Sequence, residues 1–255
     1  MFKVKLKTIK TPPRFGWLSE EIQKEFSMND KVNINLNYYK DQNVAQGGNF
    51  QINTDSPVPL DKSKNYNLGK ETMEALNKYV KEKDVLVVGS TEGVQVERAC
   101  LHAKANSVTI LEYHPIVVSD KVKKIKSITY QDIEDIDNFE KVDVACSFST
   151  YEHSGLGRYG DPIDPNGDIK SMSLLKTILK DDGYLILMVP LGKGGKPAPD
   201  DFKGEDEILW NAHRAYGEIR WPMLIEGWEI VFWYEQKGNW NQYIWVLRNN
   251  NDKNN

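Results

Sequence analysis

Cysteine is nearly absent: the 255 residues hold only Cys100 and Cys146, both in apolar surroundings. That suits small core residues in a reducing compartment and excludes a disulfide framework. Long apolar runs are missing too. None approaches the roughly 18 residues of a membrane-spanning helix, so no membrane insertion is expected. The first ten residues, MFKVKLKTIK, alternate instead of forming an apolar block, which reads as a strand and not as a signal peptide. There is no surplus of positive charge: 33 Lys and Arg stand against 37 Asp and Glu, a net charge of -4. This excludes bulk attraction to nucleic acid or anionic lipid. No internal repeat appears, and the four histidines fit no standard zinc spacing. A cytoplasmic chain with no metal is the expectation. The 40% hydrophobic content still suffices for a packed core.

Three regions follow one another. Residues 1–69 are irregular and form an N-terminal extension, a candidate lid. Within it SEEIQKEF reads as a short helix capped by Ser19, with Trp17, Leu18, Ile22 and Phe26 available for one face. From Lys70 onward the pattern is regular. KETMEALNKYVKEK and EGVQVERACLHAKA are helical, and IVVSDKVKKI is a helix candidate. DVLVVGS, SVTILEY, VDVACSFS and YLILMVPLG are short continuous apolar runs, the mark of strands buried on both faces; KSITYQDI is a shorter one. DIKSMSLLKTILKDDG reads as a helix capped by Asp168 and closed by a glycine C-cap. WEIVFWYEQ and QYIWVLRN, joined by KGNWN, predict an antiparallel hairpin. Its aromatic residues Trp228, Phe232, Trp233, Trp240 and Trp245 are expected to pack. The tail 249–255 is expected to be disordered. The predicted fold is α/β, a doubly wound, mostly parallel seven-stranded sheet.

This order, a parallel sheet closed by an antiparallel hairpin, resembles the class I S-adenosylmethionine-dependent methyltransferases over residues 70–248. The resemblance implies S-adenosylmethionine as cofactor. The first strand ends in VVGSTEG, so Gly89 and Gly93 bracket a tight turn where backbone can approach a ligand. The family's usual acid before the glycines is replaced by Val87, and Ser90 and Glu92 are candidates to contact the cofactor instead. Glu112, at the end of the second strand, stands about 20 residues on, where an acid accepts from ribose hydroxyls. Tyr113 is a stacking candidate for adenine, and Asp132 matches the position that accepts the adenine amino group. A second resemblance is closer: YEHSGLGRYGDPIDPNGD, GYLILMVPLG and HRAYGEIRWPMLIEGWE are similar to an uncharacterised family with a methyltransferase-like core. It carries no established reaction.

The first of those segments opens at the end of the fourth predicted strand and is far longer and more mixed than a connection requires. An alcohol needs a base to lose its proton in methyl transfer. His153 is the candidate base, with Glu152 orienting the ring or contacting the cofactor. Arg158, Tyr159 and Asp161 are candidate substrate ligands, as are His213 and Arg214 further on; an arginine suits a carboxylate or phosphate. Asp161, Asp164 and Asp168 are equally placed to cap turns.

Three functions fit. The first is an O-methyltransferase acting on a small polar acceptor, a sugar or sugar nucleotide or a phosphate-bearing variant, for surface-glycan, capsule-like modification. The second is a nicotinamide-dependent oxidoreductase, against which the missing G-x-G-x-x-G and the terminal hairpin argue. The third is a catalytically silent methyltransferase scaffold that binds a partner.

Overall fold

The computed structural model describes residues 12–37, 51–52, 68–90, 95–113, 116–118, 124–133, 139–196, 202–235 and 242–250. The expected first strand, residues 251–255 of the tail, Trp240, Glu92 and Gly93 lie outside them, while Asn249, expected in a disordered tail, is the buried last residue of the final strand. In chain order the described elements begin with α1 (Glu20–Ser27), β1 (Asn33–Asn35), β2 (Gln51–Ile52), α2 (Gly69–Tyr79), β3 (Asp84–Val88), α3 (Gln95–His102) and β4 (Ser107–Glu112). They continue with β5 (Val117–Val118), β6 (Ile125–Thr129), β7 (Val142–Phe148), α4 (Gly167–Ile178), β8 (Leu179–Pro190), β9 (Lys193–Lys196) and β10 (Lys203–Glu205). The last are β11 (Glu207–Leu209), β12 (His213–Ala215), α5 (Arg220–Leu224), β13 (Trp228–Glu235) and β14 (Gln242–Asn249).

The chain folds into two compact units that do not follow sequence order. Residues 149–174 and 189–226 cluster with the N-terminal part of the chain; 48–148, 175–188 and 227–255 form the other unit. These units cut across the expected boundary at residue 69: residues 12–37 share theirs with the long loop and the β9–β12 region.

The second unit holds a seven-stranded sheet in the order β13-β14-β8-β7-β3-β4-β6. β3 pairs in parallel with β4 and with β7, β4 with β6, and β7 with β8, while β13 and β14 are antiparallel. This is the class I methyltransferase arrangement. The strand order reverses at β3, so the switch point where such sheets bind ligands lies at the ends of β3 and β7. β3 is continuously apolar because four of its five residues are buried. Cys100 and Cys146 are free thiols, fully buried, with sulfurs 3.9 Å apart.

Two local expectations fail here. Val117 and Val118 form β5, paired in parallel with Gln51 and Ile52, not a helix; their β-branched side chains favour extended backbone. α4 ends at Ile178 and the chain passes straight into β8, so no glycine caps it. The left-handed residue there is Asp182, φ 62, and Gly183 serves close packing: a Cβ on it would lie 2.8 Å from the Lys180 carbonyl oxygen.

The first unit has a small sheet, β1-β11-β12, over a core of Phe26, Val32, Leu156, Ile208 and Trp210. Phe15 and Phe26 each meet the Trp210 ring edge-on at 5.1 Å, and the indole N–H donates to the Pro13 carbonyl. Ser19 caps α1 as expected, accepting from the Ile22 amide at 3.3 Å. Trp17 does not join that face. It is 73% exposed with Arg14 over its ring; it precedes α1, and Leu18 beside it packs on the core with Ile22 and Phe26 of that helix. Among the described residues no helix is long and apolar enough to cross a membrane.

Candidate functional site

In the second unit the turn after β3 and the end of β4 are tied together. Gly89 takes φ 78, a backbone that L side chains rarely adopt, and its amide donates to the Leu111 carbonyl. The next amide, Ser90, donates to Oε1 of Glu112 at 2.5 Å, and the Tyr113 amide donates to Oε2 at 3.2 Å. Two backbone amides, one on each carboxylate oxygen, therefore orient the acid. The Tyr113 ring stacks on Tyr130, with centroids 4.6 Å apart. Asp132 spends its Oδ2 on the Thr129 amide and hydroxyl, at 2.6 and 2.8 Å, and these bonds hold its pKa below the usual carboxylate range.

Sequence reading missed Glu97. It is 1% exposed and bonds the Ser90 side chain, and burial pushes its pKa up to about 7 with Glu112 adding to the rise. Its spacing is the overlooked signal: Glu97 precedes Cys100 by three residues, which sets an acid in the buried stripe of α3.

In the first unit the long loop is a built structure. Ser149 has left-handed backbone, φ 56, and its hydroxyl donates to Oε1 of Glu152 at 2.5 Å. Glu152 is 1% exposed; burial raises its pKa to about 7 against the lowering effect of the Ser149 bond, and Oε2 has no hydrogen-bond partner. His153 follows on a single 3-10 turn. Its Nδ1–H donates to the Ala212 carbonyl at 2.5 Å. A carbonyl only accepts, so the neutral tautomer is set and Nε2 carries the lone pair, 3.8 Å from Oε1 of Glu152. Burial drives the His153 pKa down to about 3, opposed by the Ala212 bond and reinforced by Arg158. His153 is thus neutral at every physiological pH. Arg158 donates to the same Ala212 carbonyl at 3.2 Å and lies over the Tyr159 ring. His213 meets His153 edge-on at 6.2 Å.

Two expected substrate ligands are consumed by the loop itself. Asp161, 2% exposed, accepts from the amides of Gly155, Gly157 and Tyr159. Arg214, fully buried, donates to the carbonyls of Ser154, Asp164 and Pro165 and lies 3.6 Å from Asp168. Both are corrected from acceptor binding to loop building, because a turn-rich loop folded inward must satisfy its own backbone polar groups. Asp168 is likewise no N-cap. It sits inside the first turn of α4, fully buried, and receives Arg220 at 2.6 Å and the Tyr216 hydroxyl at 3.0 Å. Asp164 does cap a turn, accepting from the Asn166 amide.

Gly155 shows how tightly the loop closes. It takes φ 84, and a Cβ there would sit 2.1 Å from the Asp164 carbonyl oxygen. Gly155→Ala is expected to lower unfolding stability by at least about 2 kcal/mol through left-handed strain and the clash. Denaturant titration checks this, and an unchanged midpoint would contradict the loop geometry. Among the described residues no group of three His, Cys, Asp or Glu is arranged to hold a metal.

A family model described as "Caenorhabditis protein of unknown function, DUF268" matches residues 82–254. No curated protein matches the chain. Similar solved structures include the N-methyltransferase NodS from Bradyrhizobium japonicum WM9 in complex with S-adenosyl-l-homocysteine. It is 15% identical over 78% of this chain and 94% of that one, with a TM-score of 0.48. An S-adenosylmethionine-dependent methyltransferase from Mesorhizobium loti is 11% identical over 70% and 96%, with a TM-score of 0.45. An O-methyltransferase family protein from Burkholderia thailandensis is 9% identical over 72% and 57%, with a TM-score of 0.48. At these values the likeness carries no argument about chemistry; the strand order described above stands by itself.

Proposed function

We propose a function for this chain, which belongs to the DUF268 family of proteins of unknown function: it is an S-adenosylmethionine-dependent O-methyltransferase for a small, polar, hydroxylated acceptor, of which a sugar or sugar derivative is the leading class. The observation that carries this reading is the Glu112 carboxylate at the end of β4, held by the Ser90 and Tyr113 amides beside the left-handed Gly89 turn. Such a carboxylate suits two vicinal ribose hydroxyls, and the glycine leaves room for close approach. Gly89, Ser90, Glu112 and Tyr113 would hold the cofactor, with Asp132 at the adenine edge; Glu92 and Gly93 complete the expected set but lie outside the described residues. Bound there, the cofactor supplies an electrophilic methyl group.

The remaining chemistry falls to the loop residues. The Nε2 lone pair of His153 takes the hydrogen of the acceptor hydroxyl, and the Ala212 carbonyl keeps the ring in that tautomer. A base with a pKa near 3 is feeble alone. The Glu152 carboxylate, 3.8 Å from Nε2, stabilises the imidazolium once the proton arrives, and it does so only when ionised. The two side chains act as a unit.

Calorimetry with S-adenosylhomocysteine and with NAD tests the cofactor assignment. S-adenosylhomocysteine should bind, and Glu112→Ala should weaken it about 10- to 1000-fold by removing two charge-assisted hydrogen bonds. Binding of NAD instead, or unchanged S-adenosylhomocysteine affinity in the folded variant, would remove Glu112 from the site.

A further inference from the structure

Glu97 has no part in the chemistry described above, yet it lies against the candidate cofactor turn. Its side chain bonds that of Ser90, while the Ser90 amide donates to Oε1 of Glu112 at 2.5 Å. One serine therefore joins two acids, the first through its side chain and the second through its backbone. All three residues belong to the second unit, with Glu97 on α3 and Glu112 closing β4. Glu97 is 1% exposed, and its Oε1 has no hydrogen-bond partner among the described residues. A buried acid left partly unsatisfied is costly and calls for an explanation. Its bond to Ser90 points the side chain at the turn, so the explanation is sought there.

The groups acting on Glu97 leave its charge finely balanced. Burial is the largest and raises its pKa to about 7. The Ser90 bond and its own backbone amide oppose burial, Glu112 adds to the rise, and Arg98, its neighbour on α3, lowers the value least of all. Cys100, one turn further along α3, brings no positive charge: its bond to Cys146 and burial push its thiol pKa well up, with Glu97 adding to the rise. From α2, which also packs on α3, the residues turned inward are the neutral Thr72, Ala75 and Leu76. A positive charge brought to this turn would hold the Glu97 proton off, and its removal would let the proton return. S-adenosylmethionine carries such a charge permanently on its sulfonium; S-adenosylhomocysteine, left after methyl transfer, does not. The sulfur is bonded to C5′ of the ribose that Glu112 is proposed to hold, so its charge falls within the range over which charges act in a protein interior.

We propose that Glu97 distinguishes the methyl donor from the spent product by charge: it ionises when a sulfonium is bound beside the Ser90 turn and takes its proton back once that charge is gone. The effect acts through the buried interior and needs no contact between Glu97 and the ligand. It rests on the cofactor reading above and adds to it a preference for donor over product that grows toward alkaline pH.

The test is calorimetric binding of S-adenosylmethionine and S-adenosylhomocysteine to the full chain and to Glu97→Gln, each at pH 5.5 and pH 8. The ligands titrate alike with both proteins, so any difference between the proteins belongs to Glu97. At pH 5.5 a protonated acid and an amide are both neutral, and the donor-to-product affinity ratio should agree in the two. At pH 8 the ratio should be about 3- to 10-fold higher in the wild type, the effect of a shift of up to about one pKa unit. Wild-type protein alone supplies a second readout that no variant can spoil. In buffers of different ionisation enthalpy at pH 7, donor binding should release a fraction of a proton more than product binding, because linkage is reciprocal. Equal proton release for the two ligands, a release that survives in Glu97→Gln, or a ratio lowered by the same factor at both pH values, the mark of a merely structural role, would overturn the proposal alone. Failure of both ligands to bind would overturn the cofactor reading and this one with it.

Discussion

His153→Gln is expected to lower methyl-transfer turnover about 10²- to 10⁴-fold and to leave S-adenosylhomocysteine affinity unchanged, the usual loss when a positioned proton acceptor is removed. Glutamine preserves a polar side chain but presents no basic nitrogen. The pH profile assigns the roles within the pair. His153, with a pKa near 3, stays neutral through the working range and contributes no ionisation step there. Glu152, near 7, does. It is protonated on the acid side, where it cannot stabilise an imidazolium, and ionised on the alkaline side, where it can. The rate should therefore rise with pH through about 7. No limb at an ordinary histidine pKa is expected, because burial and Arg158 suppress protonation of the ring. Glu152→Gln should flatten the ascending limb and lower the plateau, and His153→Gln, which leaves no imidazolium for Glu152 to stabilise, should lose the limb as well. Near-normal turnover in His153→Gln, with chemistry rate-limiting, would exclude the histidine. An unaltered limb in Glu152→Gln would exclude the glutamate.

Asp168→Ala is expected to cost about 3–5 kcal/mol of unfolding stability, the penalty for removing one partner of a buried ion pair. Arg214 and Arg220 are 0% and 1% exposed, and Asp168 is the carboxylate that meets both, at 3.6 and 2.6 Å. Without it two guanidiniums stay buried against each other, and the Tyr216 hydroxyl loses its acceptor. Asp161 also acts on Arg214, but its oxygens are engaged by three loop amides and cannot move across. Against a typical domain stability of about 5–15 kcal/mol this loss is large. Urea denaturation followed by Trp210 fluorescence, in the core of the same unit, measures it. Asp168→Asn should be milder, since an amide still accepts from Tyr216. A loss under about 1 kcal/mol in Asp168→Ala would mean the cluster does not hold the loop.

The sheet was legible because its cause is local. DVLVV, SVTILE and VDVACSF carry short apolar runs since parallel strands are buried on both faces, and the terminal hairpin is two aromatic-rich runs, WEIVFWYE and QYIWVLRN. Glu112 was legible for the same reason: a strand end and a glycine turn fix its place along the chain. The chain from Phe148 to Asp168 was legible as a candidate site, but not in which of its polar groups face inward. Asp161, Asp168 and Arg214 look like ligands in sequence because acids and arginines usually face water, and nothing local reports that they face inward to satisfy backbone groups and each other. Glu97 was invisible for the opposite reason: a lone acid in a helix is ordinary until burial makes it costly. Residue types and periodicity, which act over a few residues, determined the strands, the helices and the candidate turn. Burial, which depends on residues such as Ser154 and Arg214 meeting across sixty positions of chain, decided which charged groups build the loop, which tautomer His153 holds and which acid titrates near neutrality. Desolvation is a property of the packed volume and has no signature in the order of the residues.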